Sequence, residues 1–313
     1  MLYRKMPKTG DELSILGFGC MRLAQKDGRI DEERAARQIR HAIDRGMNYI
    51  DTAWPYHAGE SEPFVGRTLA GVYRERVKLA TKLPSWLVKN RADMDRFLDA
   101  QLQKLATSRI DYYLVHSLNG ETWDRMAVLG VAEFLDRAKS DGRIVNAGFS
   151  FHGLREDFKR IADAYPWEFC QIQYNYLDEE HQAGTEGLMY AASKGLGVIV
   201  MEPLRGGVLA ATPQPPSIDA LWREVERRRT PAEWALRWVW NHPEATVVLS
   251  GMTSEAQVEE NLRIASDALP GSLTAAETDL IGRVVRKYRE IMTVGCTGCG
   301  YCQPCPSGVD IPG

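Results

Sequence analysis

The sequence predicts an α/β fold, the TIM (β/α)8 barrel, followed by a short cysteine-rich extension at the C-terminus. Eight short apolar segments recur along the 313 residues, and helix-period patterns fill the gaps between them. The segments lack strict polar alternation, as is typical of parallel strands buried on both faces. A doubly wound open sheet would show a GxGxxG turn after an early strand, and none occurs. We expect the barrel at residues 1–275, and a helix with a cysteine-rich motif at residues 276–313.

The eight predicted strands are evenly distributed along the chain. They are SILGFG (14–19), MNYID (47–51), VKLATK (77–82), DYYLVH (111–116), IVNAGFS (144–150), FCQIQY (169–174), GVIVME (197–202) and TVVLSG (246–251). Ahead of them, residues 2–13 contain a Thr-Gly turn between two short extended pieces. This turn predicts a small hairpin that closes the bottom of the barrel.

Helix signals lie between the strands. The first helix is expected to start after Asp31, a capping residue, and to stop at Gly46, where a left-handed C-cap favours glycine. After the third strand, Met94 and Leu98 begin an apolar stripe at spacings of three and four. Further helices are predicted near residues 217–228, 231–241 and 277–292.

Composition excludes several classes of function. The chain has 39 basic and 42 acidic residues, a net charge of −3, so we expect no general attraction to nucleic acid or to anionic membranes. No apolar run approaches the roughly 18 residues of a membrane helix. The N-terminus has no apolar signal-peptide core. The expected location is therefore the cytoplasm, where disulfides are rare.

Polar residues stand where barrel strands end. Strand two ends in Asp51, strand three in Lys82 and strand four in His116, and Tyr56 follows in the loop after strand two. Active sites of this fold lie at the C-terminal ends of the strands, so the four side chains are expected to converge. A structural ion pair is the alternative for Lys82 and Asp51 taken alone.

This set of four residue types has a definite chemistry. A nearby lysine ammonium is expected to lower the pKa of the tyrosine, and a buried lysine needs a counter-charge that an aspartate supplies. A histidine can orient a carbonyl oxygen by a hydrogen bond. Together they form a relay that gives a proton to a carbonyl oxygen while a hydride arrives at carbon.

The motif Asp51-Thr52-Ala53, Tyr56, Gly59, Ser61-Glu62, Gly66, Lys82 and His116 resembles the aldo-keto reductase family. The similarity covers about residues 12 to 265. It implies an NAD(P)H-dependent oxidoreductase that reduces an aldehyde or ketone to an alcohol. Tyr56 would be the general acid, Lys82 and Asp51 would tune it, and His116 would orient the carbonyl.

The resemblance also implies a set of cofactor contacts. Ser150 and Gln171 would hold the nicotinamide carboxamide, although Phe151 replaces the family's asparagine, and Met201 stands where a tyrosine usually stacks on the ring. The other implied contacts are Gly19, Met21, Arg22, Asp51, Pro203, Leu204, Gly251, Met252, Thr253, Gln257, Glu260 and Asn261.

The choice between NADP and NAD stays open at the sequence level. Family habit favours NADP, whose 2′-phosphate the family holds with a lysine and an arginine. Those positions read Gly251 and Gln257 here, and Glu255 and Glu259 add negative charge nearby. Losing both cations removes the charge-assisted bonds that distinguish the two cofactors.

The C-terminus carries four cysteines within ten positions, Cys296, Cys299, Cys302 and Cys305. The C-x2-C-x2-C spacing, with Cys305 followed by proline, resembles the bacterial ferredoxin signature and predicts a [4Fe–4S] cluster, although the last gap is two residues and not three. The segment at 276–313 thus resembles a shortened form of the ferredoxin-like extension that a subgroup of the aldo-keto reductase family carries. A zinc site and unligated thiols are the alternatives. Cys20 and Cys170 are interpreted as small apolar residues in or beside strands.

Other functional expectations are broader. Trp54, Trp86 and His57 are expected to line the substrate pocket, since each follows or sits near a strand end. The expected partners are a small carbonyl substrate and a redox partner acting through the cluster. Two rival functions remain: an iron–sulfur electron-transfer or redox-sensing protein, and a nucleotide-binding regulatory subunit. The intact set of four residues argues against the first.

Overall fold

The computed structural model describes residues 1–292 and Cys305. Its centre is a closed barrel of eight parallel strands, each paired with its neighbours in the sequence, and the eighth pairs with the first. The strands are β1 (Leu16–Gly19), β2 (Tyr49–Asp51), β3 (Lys78–Leu83), β4 (Ile110–Leu118), β5 (Ile144–Phe151), β6 (Phe169–Gln173), β7 (Gly197–Met201) and β8 (Ala245–Ser250). The structure confirms the predicted barrel and all eight strands.

Helices cover the outside of the barrel and follow it at the C-terminus. They are α1 (Glu32–Asp44), α2 (Ser61–Leu69), α3 (Arg91–Lys104), α4 (Gly120–Val128), α5 (Val131–Ser140), α6 (Arg155–Asp163), α7 (Gly184–Ser193), α8 (Pro216–Trp222), α9 (Pro231–Trp240), α10 (Glu255–Ile264) and α11 (Ala275–Ile291). The Asp31 side chain caps α1, as predicted, and Gly46 follows with φ 96°. Among the described residues, no helix combines the length and apolar character needed to span a membrane.

One predicted helix is shorter than expected. The segment predicted at 217–228 stops at Trp222. The indole of Trp222 stacks on that of Trp234 in α9, with centroids 5.0 Å apart. A few residues later Arg229 packs over the same Trp234 and pairs with Glu277 of α11 at 2.6 Å. The chain leaves the helix so that this arginine can be buried against a carboxylate.

The predicted hairpin closes the bottom of the barrel. Its strands, Tyr3–Lys5 and Glu12–Ser14, pair antiparallel. Met6 and Leu13 are buried in a cluster inside the barrel, where the Met6 side chain covers Gly197. Arg4 donates hydrogen bonds to the carbonyls of Trp240, His242 and Ala245, which lie between α9 and β8. The bottom is therefore packed and tied, which leaves the opposite face for the site.

Candidate active site

A buried ion pair lies at the C-terminal end of β2 and β3. The Lys82 Nζ donates to Asp51 Oδ1 at 2.6 Å and to the Thr52 carbonyl at 2.8 Å. The two charged side chains are only 1% and 2% exposed. Two ions so deeply buried persist only when each is the other's partner.

Side chains behind the barrel wall fix the end of β3. Gln101 of α3 donates to the Lys82 carbonyl at 2.9 Å and to the Glu62 carboxylate at 2.6 Å. Thr81 donates to the same carboxylate at 2.7 Å. This buried network ties α2 and α3 to the strand that carries the lysine, so the ammonium cannot move freely.

Tyr56 lies above the ion pair in a short 3-10 turn, Tyr56–Gly59. The two residues after it, His57 and Ala58, have φ near +50°, a conformation rare for side chains of this kind. The Lys82 Nζ is 5.1 Å from the centre of the Tyr56 ring. The His116 ring is 6.3 Å from it, almost perpendicular. The structure thus brings the four predicted catalytic residues together.

The pKa of Tyr56 does not follow the prediction. We expected Lys82 to lower it, but burial, followed by the negative charges of Asp51 and Glu202, raises the pKa of Tyr56 well above its ordinary value. The prediction of a lowered pKa is therefore wrong, and the raised pKa keeps the phenol protonated at neutral pH.

His116 is held in its neutral form. Burial, then the positive charge of Lys82, lowers its pKa well below the ordinary value for histidine. Its imidazole can therefore hydrogen-bond a substrate oxygen without carrying a charge. Trp86 lies beside it, with ring centres 5.1 Å apart.

Two of the four residues, Asp51 and Tyr56, line a small pocket of ≈ 70 Å³. Two of its other lining residues, His152 and Glu202, were not predicted. Burial, then proximity to His181, lowers the pKa of His152 to about 4. His152 directly follows β5, so the strand-end argument that found His116 would also have found it.

The same pocket has the acceptor that a nicotinamide carboxamide needs. Gln171 Oε1 is buried and accepts no hydrogen bond from the described residues. Its Nε2 lies 3.7 Å from the Met201 sulfur. Ser150 of β5 lies opposite Gln171 in the sheet, and its Oγ accepts from the Ser117 amide at 2.7 Å. The buried acceptor of Gln171 therefore fits the amide end of a nicotinamide dinucleotide.

A larger cleft of ≈ 580 Å³ continues from this pocket toward α10. Of the residues predicted to contact the cofactor, two line neither space: Ser150, which is 1% exposed, and Met252, which is fully buried in the core. The others line the pocket or the cleft, namely Gly19, Met21, Arg22, Asp51, Gln171, Met201, Pro203, Leu204, Gly251, Thr253, Gln257, Glu260 and Asn261. Arg22 and Glu202 line both and pair at 3.4 Å.

The three residues predicted to line the substrate pocket, Trp54, Trp86 and His57, lie in different surroundings. Trp86 is 45% exposed at the rim. Trp54 packs edge-on against Phe97, and Lys104 Nζ sits 3.6 Å from its ring centre. His57 accepts from the Leu23 amide at 3.2 Å and contacts Gln25, which ties it to the loop after β1. A role for these three in binding substrate stays a prediction.

Of the four predicted metal ligands, only Cys305 is among the described residues. Cys296, Cys299 and Cys302 lie outside the described residues, and Cys305 is described as half-buried. Within residues 1–292 and Cys305, no group of three or more His, Cys, Asp or Glu side chains could hold a metal ion. Cys20 and Cys170 are fully buried, as expected of small apolar residues.

Comparison with known proteins agrees with this geometry. The model of the aldo/keto reductase family matches residues 15–276, so the chain belongs to that family. It is 27% identical over 279 residues to L-galactose dehydrogenase of Arabidopsis thaliana, covering 83% of this chain and 86% of that one. It is 28% identical over 291 residues to 6-dehydroglucose reductase of Novosphingobium aromaticivorans, covering 82% and 88%.

A solved structure shows the same fold. The aldo-keto reductase AKR11C1 from Bacillus halodurans, in its holo form, superposes with a TM-score of 0.76 at 28% identity. The match covers 91% of this chain and 96% of the other. The protein is thus an oxidoreductase of a family that uses NAD(P)H.

Proposed function

We propose that this enzyme reduces an aldehyde or ketone to an alcohol with NAD(P)H, and that Tyr56 is the general acid. The observation that carries the proposal is the buried Lys82–Asp51 pair, 2.6 Å apart, with its ammonium 5.1 Å from the Tyr56 ring. The family resemblance to carbonyl reductases supports the same assignment.

The reaction divides between cofactor and protein. When bound, the reduced nicotinamide supplies a hydride to the carbonyl carbon. The Tyr56 hydroxyl, protonated because its pKa is raised, gives its proton to the carbonyl oxygen. Lys82 then stabilises the phenolate, while Asp51 holds the ammonium in place. Neutral His116 orients the carbonyl oxygen by a hydrogen bond.

The test is turnover with a panel of small aldehydes and ketones, following the consumption of NADH and NADPH. Two relatives are named for sugar chemistry, an L-galactose dehydrogenase and a 6-dehydroglucose reductase, so the panel includes sugar aldehydes and keto sugars. We expect carbonyl-dependent oxidation of a reduced dinucleotide. Tight dinucleotide binding without turnover of any compound would instead support a regulatory subunit.

We also propose that Cys296, Cys299, Cys302 and Cys305 hold a [4Fe–4S] cluster that exchanges electrons with a redox partner in the cytoplasm. Support comes from the sequence, where the spacing places four thiols within ten residues. The test is iron and acid-labile sulfide content in protein prepared without air. About four of each per chain supports the cluster. About one zinc, or no metal, would contradict it.

A further inference from the structure

The far end of the cofactor cleft is poor in positive charge. Thr253, Gln257 and Glu260, at the start of α10, line this end and do not line the catalytic pocket. Among the described residues that line the cleft, Arg22 is the one lysine or arginine, whereas Glu202 and Glu260 are both carboxylates. A dianionic group at the α10 end would therefore meet a carboxylate and no lining cation.

Arg22 is paired where the cleft meets the catalytic pocket. Its guanidinium pairs with Glu202 at 3.4 Å. Its side chain also packs against Gly251, since a Cβ added there would lie 3.0 Å from Arg22 Cβ. Gly251 thus leaves room for the arginine, and any side chain at position 251 would require Arg22 to shift by a few tenths of an ångström.

The start of α10 is already capped by its own side chains. Gln257 Oε1 accepts from the amides of Thr253 at 2.8 Å and Ser254 at 3.3 Å, and Ser254 Oγ accepts from the Gln257 amide. Glu255 adds a carboxylate in the first turn. The amides and the positive end of the helix dipole, which could attract a phosphate, are therefore largely satisfied within the protein.

Three arginines around α10 are paired with carboxylates. Arg34 binds Glu255 through three contacts of 2.6 to 3.2 Å, which lowers the pKa of that carboxyl to about 2. Arg45 binds Glu259 at 3.1 Å. On the far side, Arg263 binds Glu233 at 2.6 Å. Recruiting any of these for a phosphate would break an existing pair.

We propose that this enzyme selects NAD(H) over NADP(H), and that Gln257 and Glu260 are the specificity-determining residues. The inference rests on the proposed function, because it concerns the same dinucleotide. A carboxylate can accept a hydrogen bond from a ribose hydroxyl, whereas a 2′-phosphate needs a cation that the α10 end lacks. The usual preference of the family is thereby reversed in this chain.

The first test is binding, independent of catalysis. Calorimetric titration of the full chain with NADH and NADPH should give a dissociation constant at least about tenfold lower for NADH, the size of effect expected for one charge-assisted hydrogen bond. The same order should hold for 5′-AMP against adenosine 2′,5′-bisphosphate, which probe the adenosine end alone. Added salt should narrow the difference, because it screens the carboxylate–phosphate repulsion.

Two matched variants test the residues. Gln257→Arg and Gln257→Met both lose the capping acceptor, but only the arginine supplies a cation, so only Gln257→Arg should tighten NADPH binding, by about tenfold. Glu260→Gln removes a negative charge, so it should reduce the ratio of the NADPH dissociation constant to the NADH dissociation constant. If the wild type binds NADPH as tightly as NADH and still turns over a carbonyl compound, the proposed selectivity is wrong and the proposed function stands. If neither dinucleotide binds, the selectivity and the proposed function both fail.

Discussion

At the scale of single residues, the site depends on two charges that stabilise the fold only as a pair. Lys82 and Asp51 are almost fully buried and 2.6 Å apart. Burying two ions is costly, and a protein in which apolar residues of similar size replace such a pair is often as stable or more stable. We therefore attribute the pair to the chemistry of Tyr56 more than to stability.

Removing one charge of this pair should strongly destabilise the fold. Asp51→Asn leaves the Lys82 ammonium buried without a counter-charge, so the free energy of unfolding should fall by about 3–5 kcal/mol. The double variant Asp51→Asn/Lys82→Met removes both charges. Its loss in the free energy of unfolding should be smaller than the summed losses of Asp51→Asn and Lys82→Met. Denaturant unfolding of all four proteins measures this. Additive losses would mean that the two charges do not depend on each other.

The pH dependence of reduction follows from three pKa directions. Tyr56 must be protonated to donate, and its pKa is raised, so it keeps its proton through neutral and mildly alkaline pH. His116 and His152 have lowered pKa values, that of His152 to about 4, so both stay neutral. We expect kcat/KM for reduction to be flat from about pH 6 to 9. An ionisation near the ordinary histidine pKa of about 6.5 would contradict this.

The sequence could predict these residues only in part. Asp51, Lys82 and His116 end apolar segments, so their convergence follows from the fold. His152 satisfies the same rule one residue beyond β5, whereas the family resemblance implies only Ser150 at this strand end. The pKa direction of Tyr56 could not be predicted, because it depends first on the burial of the phenol and then on the approach of charged groups such as Glu202 from another loop.

At the scale of secondary-structure elements, close approach depends on small residues. In α2, a Cβ on Gly66 would lie 2.7 Å from backbone atoms of Lys104 and Leu105 at the end of α3. This contact packs α2 against the helix that carries Gln101, which bonds the Lys82 carbonyl. The glycine therefore positions an element that supports the site.

Substitution of two helical glycines by alanine should have opposite effects on stability. Gly66→Ala should lower the free energy of unfolding by about 1–3 kcal/mol, because rigid backbone must move. Gly282→Ala in α11 meets nothing closer than the Arg286 guanidinium at 3.8 Å, so it should raise stability by up to about 1 kcal/mol through helix propensity. Thermal and denaturant unfolding measure both. Equal effects at the two positions would argue against the close packing of α2.

Elements were predicted well where their signals are local. All eight strands could be recognised because buried parallel strands form short apolar runs, and α1 because Asp31 and Gly46 mark its ends. The end of α8 at Trp222 could not be predicted, because it depends on Arg229 reaching Glu277 of a distant helix.

At the scale of the whole molecule, the barrel separates stability from chemistry. The hairpin and Arg4 close one end, whereas Tyr56 and the cofactor cleft lie at the other. In this fold, residues at the bottom contribute to stability and residues at the top to activity.

Arg4 tests that separation. Arg4→Met removes the donor for the carbonyls of Trp240, His242 and Ala245, so the free energy of unfolding should fall by about 2–3 kcal/mol. Arg4→Lys, which cannot reach all three carbonyls at once, should lose less. The kcat of the folded protein should be unchanged in both. A loss of kcat comparable to that of a catalytic variant would show that the two ends are coupled.

The measurement that tests the account most directly is the kcat of Tyr56→Phe at saturating dinucleotide. The substitution removes one hydroxyl and keeps the ring beside Lys82 and His116, so cofactor binding should persist. If Tyr56 is the proton donor, kcat for carbonyl reduction falls by more than about a hundredfold. If kcat stays within a few-fold of the wild type, Tyr56 is not the acid and the proposed relay is wrong.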